Sequence, residues 1–362
     1  MSVVELSHVR KRFNLEAGFF ARYGRFVNAV NDISFKINDN EAYGLVGESG
    51  CGKTTTARLL VRMYEIDGGS ILYYPEQAAG QASKGQGAPS GNTKEAAPLD
   101  IAVLAGENLR AYRRKVRYVF QDPARSLNPR MSVYEILVSG ARWSGKRFNA
   151  AQPHKAARKA CEKELRRQAA AVLSETGLSP DDLDRRPSEF SGGQRQRISI
   201  ARALLMQPRL LICDEVVSAL DVSIQGQILN LLLEIREKRD ISFLFIAHDL
   251  KVACYFCDRI GVMYRGELME EAPAGDLYIS ALHPYTRLLF ESAIHSDSAS
   301  AHNIFQNQAL AISSKNHHDI KMKPDHGCAF AHRCPQAAPR CFSEKPEMRE
   351  SENGHLIRCL LY

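Results

Sequence analysis

Residues 47–54 form a glycine-rich segment that could bind phosphate and a metal ion. The segment fits the pattern G-x-x-x-x-G-K-[ST] and consists of Gly47, Glu48, Ser49, Gly50, Cys51, Gly52, Lys53 and Thr54, with Thr55 next. In such a loop the backbone N–H groups surround phosphate oxygens, the lysine contacts the β- and γ-phosphates, and the hydroxyl ligates Mg²⁺. A strand pattern precedes the loop at 41–46 and a helical pattern follows at 55–62. This context favours a nucleotide site over a chance glycine-rich turn.

Two adjacent carboxylates, Asp214 and Glu215, follow an apolar strand pattern at 210–213. In a protein with a phosphate-binding loop, a strand of this kind presents its aspartate to Mg²⁺. The next carboxylate can polarise a water molecule. The alternative, in which both residues only cap a helix, is disfavoured because the strand is apolar up to them.

Gln121 and His248 also stand at the ends of predicted strands, at 116–120 and 241–247. A glutamine in this place can reach a metal ion or an attacking water, although a single one is more often a surface amide. A histidine in this place could contact the γ-phosphate, although a single histidine is usually structural. The order of these residues along the chain, relative to the phosphate loop and the two carboxylates, favours the functional interpretation.

A second glycine-containing loop comprises Ser191, Gly192, Gly193 and Gln194, and it opens a helix with one apolar face. The start of a helix binds anions because its free N–H groups and its dipole both favour negative charge. The sequence therefore predicts a second anion-binding site in this loop.

The composition of the 362 residues is that of an ordinary globular protein, with 44% hydrophobic and 25% charged residues. A net charge of +7 would suit nucleic acid or an anionic membrane surface, but a mildly basic enzyme is the simpler interpretation. No apolar run reaches the length of a membrane span. The first 13 residues alternate like a strand and do not resemble a signal peptide, so we expect a cytoplasmic protein that meets membranes through partners.

The elements around these motifs follow from hydrophobic patterning. Strand patterns at 3–9 and 30–37 flank a basic and aromatic stretch at 11–23, and predict a small antiparallel layer beside a parallel α/β core. Residues 75–98 are rich in Ala, Gly, Gln and Ser without apolar periodicity, which predicts a flexible surface insertion. Residues 131–185 have a helical pattern.

Taken together, these motifs resemble those of the ATP-binding subunit of an ATP-binding-cassette (ABC) transporter, over nearly the whole chain. The resemblance implies an α/β, RecA-like P-loop NTPase fold. That fold has an antiparallel β-subdomain, a helical subdomain and, in this chain, a small cysteine-containing C-terminal extension. The matching motifs are Walker A at 47–54, the Q-loop at Gln121, the signature at 191–194, Walker B ending at Asp214 and Glu215, the D-loop at 218–221 and the switch histidine His248.

Further segments resemble the ATPases of dipeptide/oligopeptide importers, namely 126–130, 283–286 and 327–335. The patterns at 19–31 and 69–74 favour the DppF/OppF-type subunit over its DppD/OppD-type partner.

The chain departs from the family pattern in three places. Phe190 precedes the signature where leucine is commoner, Val216 stands where proline is usual, and the insertion at 75–98 is longer than usual. None of these differences removes a reacting group, so we expect a competent ATPase site.

The resemblance also assigns roles in ATP hydrolysis. Glu215 would be the general base toward water, and His248 would hold the γ-phosphate. Gln121 would sense Mg²⁺ and water. The Mg²⁺ ligands from the protein would be Thr54, Gln121 and Asp214.

A dimer of ATPase subunits follows from the same resemblance. Two subunits would enclose two ATP molecules, each held by Walker A of one subunit and the Ser191 signature of the other. Asp221 would pass information across the dimer. Phe13 is the first choice for the aromatic residue that stacks on adenine.

The implied assembly is an importer at the cytoplasmic side of the inner membrane, where this chain would be a peripheral subunit. Its partners would be a DppD/OppD-like ATPase, with which it would form a heterodimer, and two permeases docked on the helical subdomain near 125–190. A periplasmic or lipid-anchored solute-binding protein would complete the transporter. Nucleic acid would not be a partner. The ATPase domain would span 1–275 and the extension 276–362. The solute stays open among dipeptides, oligopeptides, nickel, glutathione and opines.

The extension contains four cysteines, Cys328, Cys334, Cys341 and Cys359. Four thiolates suit zinc or an iron–sulfur cluster, but structural zinc sites generally use cysteine pairs two to four residues apart, which this tail lacks. This spacing, with the resemblance to importer tails that carry such centres, favours a [4Fe–4S] cluster. Zinc and unligated thiols are the alternatives.

Two other functions are compatible with part of the sequence. A soluble ABC ATPase acting on nucleic acid or ribosomes would account for the basic charge and the cysteines. Such proteins carry zinc modules inside the ATPase core or two cassettes per chain, whereas here one cassette precedes the cysteines. A regulatory module that binds nucleotide without turnover is disfavoured by Glu215 and His248.

Overall fold

The computed structural model describes residues 1–14, 26–75, 97–143, 155–295, 327–351 and 354–362. The predicted insertion at 75–98 lies almost wholly outside the described residues, as do residues 15–23 of the basic and aromatic stretch at 11–23.

The strands and helices alternate along the chain. The strands are β1 (Ser2–Asn14), β2 (Phe26–Asn38), β3 (Ala42–Val46), β4 (Gly68–Tyr73), β5 (Leu99–Asp100), β6 (Val116–Val119), β7 (Leu210–Asp214), β8 (Ser242–Ala247), β9 (Arg259–Tyr264), β10 (Glu267–Pro273), β11 (Arg349–Glu350) and β12 (Leu356–Ile357). The helices are α1 (Lys53–Leu60), α2 (Gly106–Lys115), α3 (Pro123–Ser126), α4 (Val133–Trp143), α5 (Lys155–Glu175), α6 (Gly192–Leu204), α7 (Val222–Arg239), α8 (Leu250–Phe256), α9 (Ala274–Ser280) and α10 (Pro284–His295).

The smaller of the two sheets is antiparallel and has the order β2-β1-β4-β5. Alternate residues of β2, Ile33, Phe35 and Ile37, are buried on one face, as the period of two along a half-buried strand requires. Leu6 of β1 is paired with Phe35. The predicted antiparallel layer is therefore confirmed.

The larger sheet has the order β11-β12-β10-β9-β3-β8-β7-β6. Neighbouring strands from β9 to β6 in this order are parallel. Strands β3, β7 and β8 are buried along their whole length. Residues on one face, such as Phe243 and Phe245, pack with helices α6 and α7, and residues on the other face, such as Leu45 and Leu244, pack with α1 and the antiparallel layer. The apolar runs in the sequence have this origin.

The parallel strands place their carboxyl ends at one edge of the sheet. Val46 of β3 is level with Ala247 of β8, and Asp214 of β7 is level with Ile246. Val119 of β6 is level with Cys213. The residues that follow these four strands therefore meet, although they lie far apart in sequence.

A helical region lies beside this sheet and packs on α6. It contains α3, α4 and α5, and Leu137, Leu165 and Leu173 from these helices are buried in one core with Ile200 and Leu204 of α6. The strongly basic stretch in the sequence falls on α5 and on residues 144–154, which lie outside the described part of the chain.

The C-terminal extension adds strands to the same large sheet. Strand β12 pairs antiparallel with β10, and β11 pairs with β12. The predicted domain boundary at 275 falls inside α9. No helix among the described residues is both long and apolar enough to cross a membrane.

Candidate active site

The phosphate loop connects β3 to α1 and is packed tightly at two glycines. Gly47 has φ +153°, and a Cβ atom there would lie 2.1 Å from the Met263 carbonyl oxygen. Gly52 has φ +112°, and its Cβ would lie 2.1 Å from the Ala29 carbonyl oxygen. Only glycine fits this backbone without displacing β9 or β2.

Lys53 is the first residue of α1 and is only 4% exposed. Its ammonium donates hydrogen bonds to the carbonyl oxygens of Gly47 at 2.6 Å and Glu48 at 3.0 Å. Burial raises the pKa of the Cys51 thiol, while the nearby charge of Lys53 acts in the opposite direction. The loop therefore presents one fixed positive charge behind backbone N–H groups, as phosphate binding requires.

Thr54 and Asp214 join the phosphate loop to Walker B. The Thr54 hydroxyl donates to Asp214 Oδ1 at 3.0 Å, and the Tyr118 hydroxyl donates to Oδ2 of the same carboxylate. Asp214 is 3% exposed. Burial, and then the charge of Asp214, raise the pKa of Tyr118, so its hydroxyl stays protonated as a donor.

Tyr118 was not among the predicted site residues. A signal for it exists in the sequence, because a tyrosine within a short apolar strand needs a hydrogen-bond partner for its hydroxyl. The sequence does not tell which partner that is, since the contact spans 96 residues.

Gln121 and Glu215 meet at the same edge of the sheet. The Gln121 side-chain amide donates to Glu215 Oε2 at 2.6 Å. Glu215 has φ +48°, in the left-handed region, and its backbone N–H donates to the Ile246 carbonyl at 3.1 Å. This backbone turn follows the buried strand β7 and carries the Glu215 side chain out to the more exposed Gln121. The Q-loop and Walker B are thus brought together, as their order in the sequence predicts.

His248 is the first residue after β8 and is exposed. Because β8 lies between β3 and β7, His248 emerges between the phosphate loop and Glu215. The hydrogen bond from Lys251 N–H to the Asp249 side chain caps α8 and fixes the turn that follows His248.

The signature residues form the start of α6. Ser191 Oγ accepts from Gln194 N–H at 3.3 Å, and Gln194 Oε1 accepts from Ser191 N–H at 2.9 Å, which is a capping box. A Cβ at Gly193 would lie 2.7 Å from Ile224 of α7, and one at Gly192 would lie 3.7 Å from Leu220. The signature therefore packs beside the D-loop.

Asp221 is the exposed N-cap residue of α7, directly after Leu220. The contacts of Gly192 and Gly193 with Leu220 and Ile224 on either side of it make the signature and the D-loop neighbours.

Phe13 lies near the end of β1, where it is paired with Val27 of β2. Its ring contacts Tyr64 edge-on at 5.2 Å between centroids, and the Lys11 ammonium lies 5.5 Å from the ring centroid. Ala29, two residues along β2 from Val27, contacts the phosphate loop at Gly52. Phe13 is thus on the strand pair that borders the loop.

The four cysteines of the extension are free thiols, and their charges interact with one another. Cys328 N–H donates to the Cys341 carbonyl oxygen at 2.8 Å. Burial raises the pKa of Cys328 to about 11, and the charges of Cys359, Cys341 and Cys334 add to the rise. Across the described ranges, however, no three His, Cys, Asp or Glu side chains are grouped so that they could hold a metal ion. The [4Fe–4S] cluster therefore stays a prediction.

Comparison with protein families gives two matches. Residues 30–218, just over half of the chain, match the family described as ABC transporter. Residues 269–341 match the family described as oligopeptide/dipeptide transporter, C-terminal region.

Two curated relatives from Bacillus subtilis match the chain over its full length of 362 residues. The putative oligopeptide transport ATP-binding protein YkfD is 38% identical, and the alignment covers 96% of it. The oligopeptide transport ATP-binding protein AppF is also 38% identical, with 98% of it covered.

Solved structures show the same fold. The ADP conformation of MJ1267, an ATP-binding cassette of an ABC transporter, aligns with a TM-score of 0.58 at 21% identity, over 80% of this chain and 98% of that one. The predicted RecA-like α/β fold is therefore confirmed. On the family matches and the full-length relatives, the chain belongs to the ABC transporter family, among the ATP-binding subunits that carry the oligopeptide/dipeptide transporter C-terminal region.

Proposed function

We propose that this chain hydrolyses ATP at the phosphate loop and thereby drives peptide import through an ABC transporter. The observation that carries the proposal is the convergence of three motifs at one sheet edge. Thr54 of Walker A is bonded to Asp214 of Walker B, and Gln121 of the Q-loop is bonded to Glu215. The full-length relatives named for oligopeptide transport support peptides as the solute class.

Within this site, Lys53 and the loop amides would bind the β- and γ-phosphates, together with the neighbouring loop residues Gly47 to Gly52, Thr54 and Thr55. Glu215 would accept the proton of the attacking water. The hydrogen bond from Gln121 holds Oε2 of Glu215. Oε1 of Glu215 would then be the oxygen that accepts the proton. His248, emerging between the loop and Glu215, would hold the γ-phosphate.

Thr54, Gln121 and Asp214 would hold Mg²⁺, which supplies charge neutralisation for the phosphates. Hydroxyl, amide carbonyl and carboxylate oxygens are the hard ligands that this ion prefers. Their placement supports the assignment, because Thr54 and Asp214 are already in contact and the amide nitrogen of Gln121 is directed at Glu215, which leaves its carbonyl oxygen for a metal.

The second ATP-facing surface would be formed by Ser191, Gly192, Gly193 and Gln194. These residues would close over an ATP held by another subunit, a second ATPase of the DppD/OppD type. Asp221, beside the signature, would carry information between the two sites. Phe13 would stack on adenine, which its position on the strand pair bordering Gly52 supports.

In the assembled transporter the helical region near 125–190 would dock two permeases, and a periplasmic or lipid-anchored protein would deliver the solute. The chain would be peripheral, on the cytoplasmic side of the inner membrane. The cassette would comprise residues 1–275 and the extension 276–362, joined through the pairing of β12 with β10.

The four extension cysteines would ligate a [4Fe–4S] cluster. The electrostatic interaction of Cys328 with the other three thiols supports this proposal. Anaerobically purified protein should contain iron and absorb in the visible region, and Cys341→Ser should remove both. Cys254→Ser, outside the extension, is the matched control. Iron-free protein from anaerobic cells would contradict the assignment.

The test of the main proposal is reconstitution of the complex in liposomes, with peptide uptake and ATP hydrolysis measured together. Glu215→Gln should lower both rates by about 10² or more while ATP still binds, because the variant loses the base but keeps the phosphate loop. Lys53→Ala should lose ATP binding itself. Hydrolysis that is unchanged in the assembled Glu215→Gln complex would overturn the assignment of the base.

A further inference from the structure

The extension reaches back to the phosphate loop through Arg333. Its guanidinium donates to Glu48 Oε2 at 2.9 Å and to Glu48 Oε1 at 2.8 Å, across 285 residues of sequence. This is a bidentate ion pair, in which the two terminal nitrogens of the guanidinium each donate to one oxygen of the carboxylate. Glu48 raises the pKa of Arg333 and keeps it charged. Glu48 is the second residue of Walker A, so the pair joins the extension to the nucleotide site.

Arg333 is held in place by aromatic rings. Its guanidinium carbon lies 5.7 Å from the Tyr264 ring centroid and 5.8 Å from that of Phe330. Tyr264, Tyr285 and Phe330 contact one another at 4.7 to 5.3 Å between centroids and are nearly fully buried. The arginine side chain is therefore ordered before it meets Glu48, which reduces the entropy lost on forming the pair.

Tyr285 fixes the same loop residue from a second direction. Its hydroxyl accepts a hydrogen bond from the Glu48 backbone N–H at 3.0 Å. Tyr285 is 1% exposed and belongs to α10, so its hydroxyl is a fixed hydrogen-bond partner for the Glu48 backbone. The side chain and the backbone of Glu48 are thus both held by residues that follow β10.

Glu48, which is held in this way, also supplies one of the two carbonyl oxygens that bind the ammonium of the phosphate-binding Lys53. Lys53 Nζ donates hydrogen bonds to the carbonyl oxygens of Gly47 and Glu48. The Gly47 carbonyl belongs to the same peptide unit as the Glu48 N–H that is bound by Tyr285, and the Glu48 carbonyl belongs to the next peptide unit. Beyond Glu48 the loop is exposed at Ser49 and Gly50, and no described atom lies within 4 Å of a Cβ placed on Gly50. At Ser49 and Gly50 the loop therefore lacks the packing that Gly47 has against β9.

We propose that Arg333 is a positioning residue for the phosphate loop, so that the C-terminal extension sets how tightly the cassette binds ATP. This rests on the proposed function only in that the loop binds ATP. Arg333 touches no phosphate in this role; it acts through Glu48. A role restricted to docking the extension would change stability without changing ATP affinity.

The experiment compares ATP affinity in full-length variants, measured with a fluorescent ATP analogue, and KM against kcat in the assembled complex. Arg333→Gln should weaken ATP binding and raise the KM for ATP about fivefold, with kcat nearly unchanged. The expected change is modest because the bidentate pair between Arg333 and Glu48 is partly exposed to solvent. Arg333→Lys, which keeps the charge but not the fork, should have an intermediate effect. Arg349→Gln, an exposed arginine of the same extension, is the matched control and should bind ATP normally.

The reversed pair Glu48→Arg with Arg333→Glu should recover most of the affinity that either single change loses. This outcome separates positioning from simple loss of folding, because each single variant could also be unstable. ATP affinity that is unchanged in a folded Arg333→Gln protein would overturn the proposal, as would an equal loss in Arg349→Gln. Lys53→Ala provides the separate check: if it still binds ATP, the proposed site itself is wrong.

Discussion

The two oxygens of Asp214 have different partners, and this divides their roles. Thr54 donates to one oxygen from the phosphate loop, and Tyr118 donates to the other from β6. Thr54 and Asp214 are two of the residues that would hold Mg²⁺, which would supply charge neutralisation for the phosphates. Tyr118 would then keep the carboxylate of Asp214 in a fixed orientation, as outer hydrogen bonds do around metal ligands.

Replacing Tyr118 by phenylalanine tests this role. The variant leaves one buried oxygen of Asp214 without its donor, so we expect a loss of about 1–3 kcal/mol in the free energy of unfolding. The Mg²⁺ concentration needed for half-maximal ATP hydrolysis should also rise. Urea unfolding and a Mg²⁺ titration measure the two effects. Tyr74→Phe, which removes a part-buried bond to Glu5 away from the site, is the control; equal behaviour of the two variants would contradict the role of Tyr118.

His283 is a buried neutral histidine and makes stability depend on pH. It is 1% exposed, its Nδ1 accepts from Tyr285 N–H at 3.0 Å, and burial lowers its pKa from 6.5 to about 4. Between these two pH values the unfolded chain takes up a proton and the folded protein does not. The contribution of His283 to the free energy of unfolding should therefore fall by about 1.4 kcal/mol per pH unit as the pH decreases through this range.

His283→Asn isolates this contribution, because asparagine keeps an acceptor for Tyr285 N–H but does not titrate in this range. Urea unfolding of both proteins between pH 4.5 and 7, about the range in which the difference develops, is the measurement. The stability of the variant should depend less steeply on pH than that of the parent chain. Parallel pH curves would show that His283 takes up its proton equally readily in the folded protein and in the unfolded chain, which would contradict this prediction.

At the scale of elements, the turn from β3 to α1 is fixed by contacts with two neighbouring strands. Gly47 lies against β9 and Gly52 lies against β2, each with a positive φ. Strand β9 belongs to the large sheet and β2 to the small one, so the loop lies where the antiparallel layer and the parallel core meet.

Gly52→Ala should therefore disturb both binding and stability. The new Cβ would lie 2.1 Å from the Ala29 carbonyl oxygen at φ +112°, and we expect a loss of at least about 2 kcal/mol and much weaker ATP binding. Gly226→Ala in α7 meets no described atom within 4 Å and should instead stabilise the helix by about 0.5–1 kcal/mol. Thermal unfolding and ATP binding compare the two; destabilisation of the same size in both would show that contact geometry is not the cause.

Many of the strands that position the site were predictable from the sequence. The apolar runs before Asp214 and before His248 become β7 and β8, because fully buried parallel strands need apolar residues on both faces. Their polar end residues meet because parallel strands share one carboxyl edge. The period of two in β1 and β2 likewise identified the antiparallel layer.

Other parts depend on contacts that local patterns do not encode. Strand β12 has two residues and owes its pairing to β10, more than 80 residues earlier. The pair between Arg333 and Glu48 joins residues 285 positions apart, and an arginine beside a cysteine gives no signal of its partner. The role of Tyr118 could likewise not be predicted, since the identity of its acceptor depends on the register between β6 and β7.

At the scale of the whole molecule, the extension is part of the cassette's fold. Glu270 of β10 is fully buried and accepts hydrogen bonds from the backbone N–H groups of Leu282 at 2.7 Å and His283 at 3.1 Å. His355, next to β12, contributes a third bond from Nε2 at 2.6 Å. One buried carboxylate thus ties together the sheet, the turn before α10 and the last strand.

Removing the His355 contact should weaken the molecule as a unit. His355→Leu leaves one side of a buried carboxylate without a donor, and we expect a loss of about 1–3 kcal/mol in a single unfolding transition. His355→Gln keeps an N–H donor and should lose less. Calorimetry separates these outcomes: if the leucine variant unfolded in two transitions, the extension would be an independent domain.

The edge of the large sheet has a consequence for how copies of this chain behave when crowded together. Without β11 and β12, strand β10 would lose its pairing at Glu270 and Glu271, and unpaired strand edges recruit strands from other molecules. The sheet ends instead at Arg349–Glu350, a strand of only two residues, both charged and exposed. A short, charged edge of this kind disfavours further strand pairing, so we expect the extension to lower the tendency of the cassette to aggregate through β10.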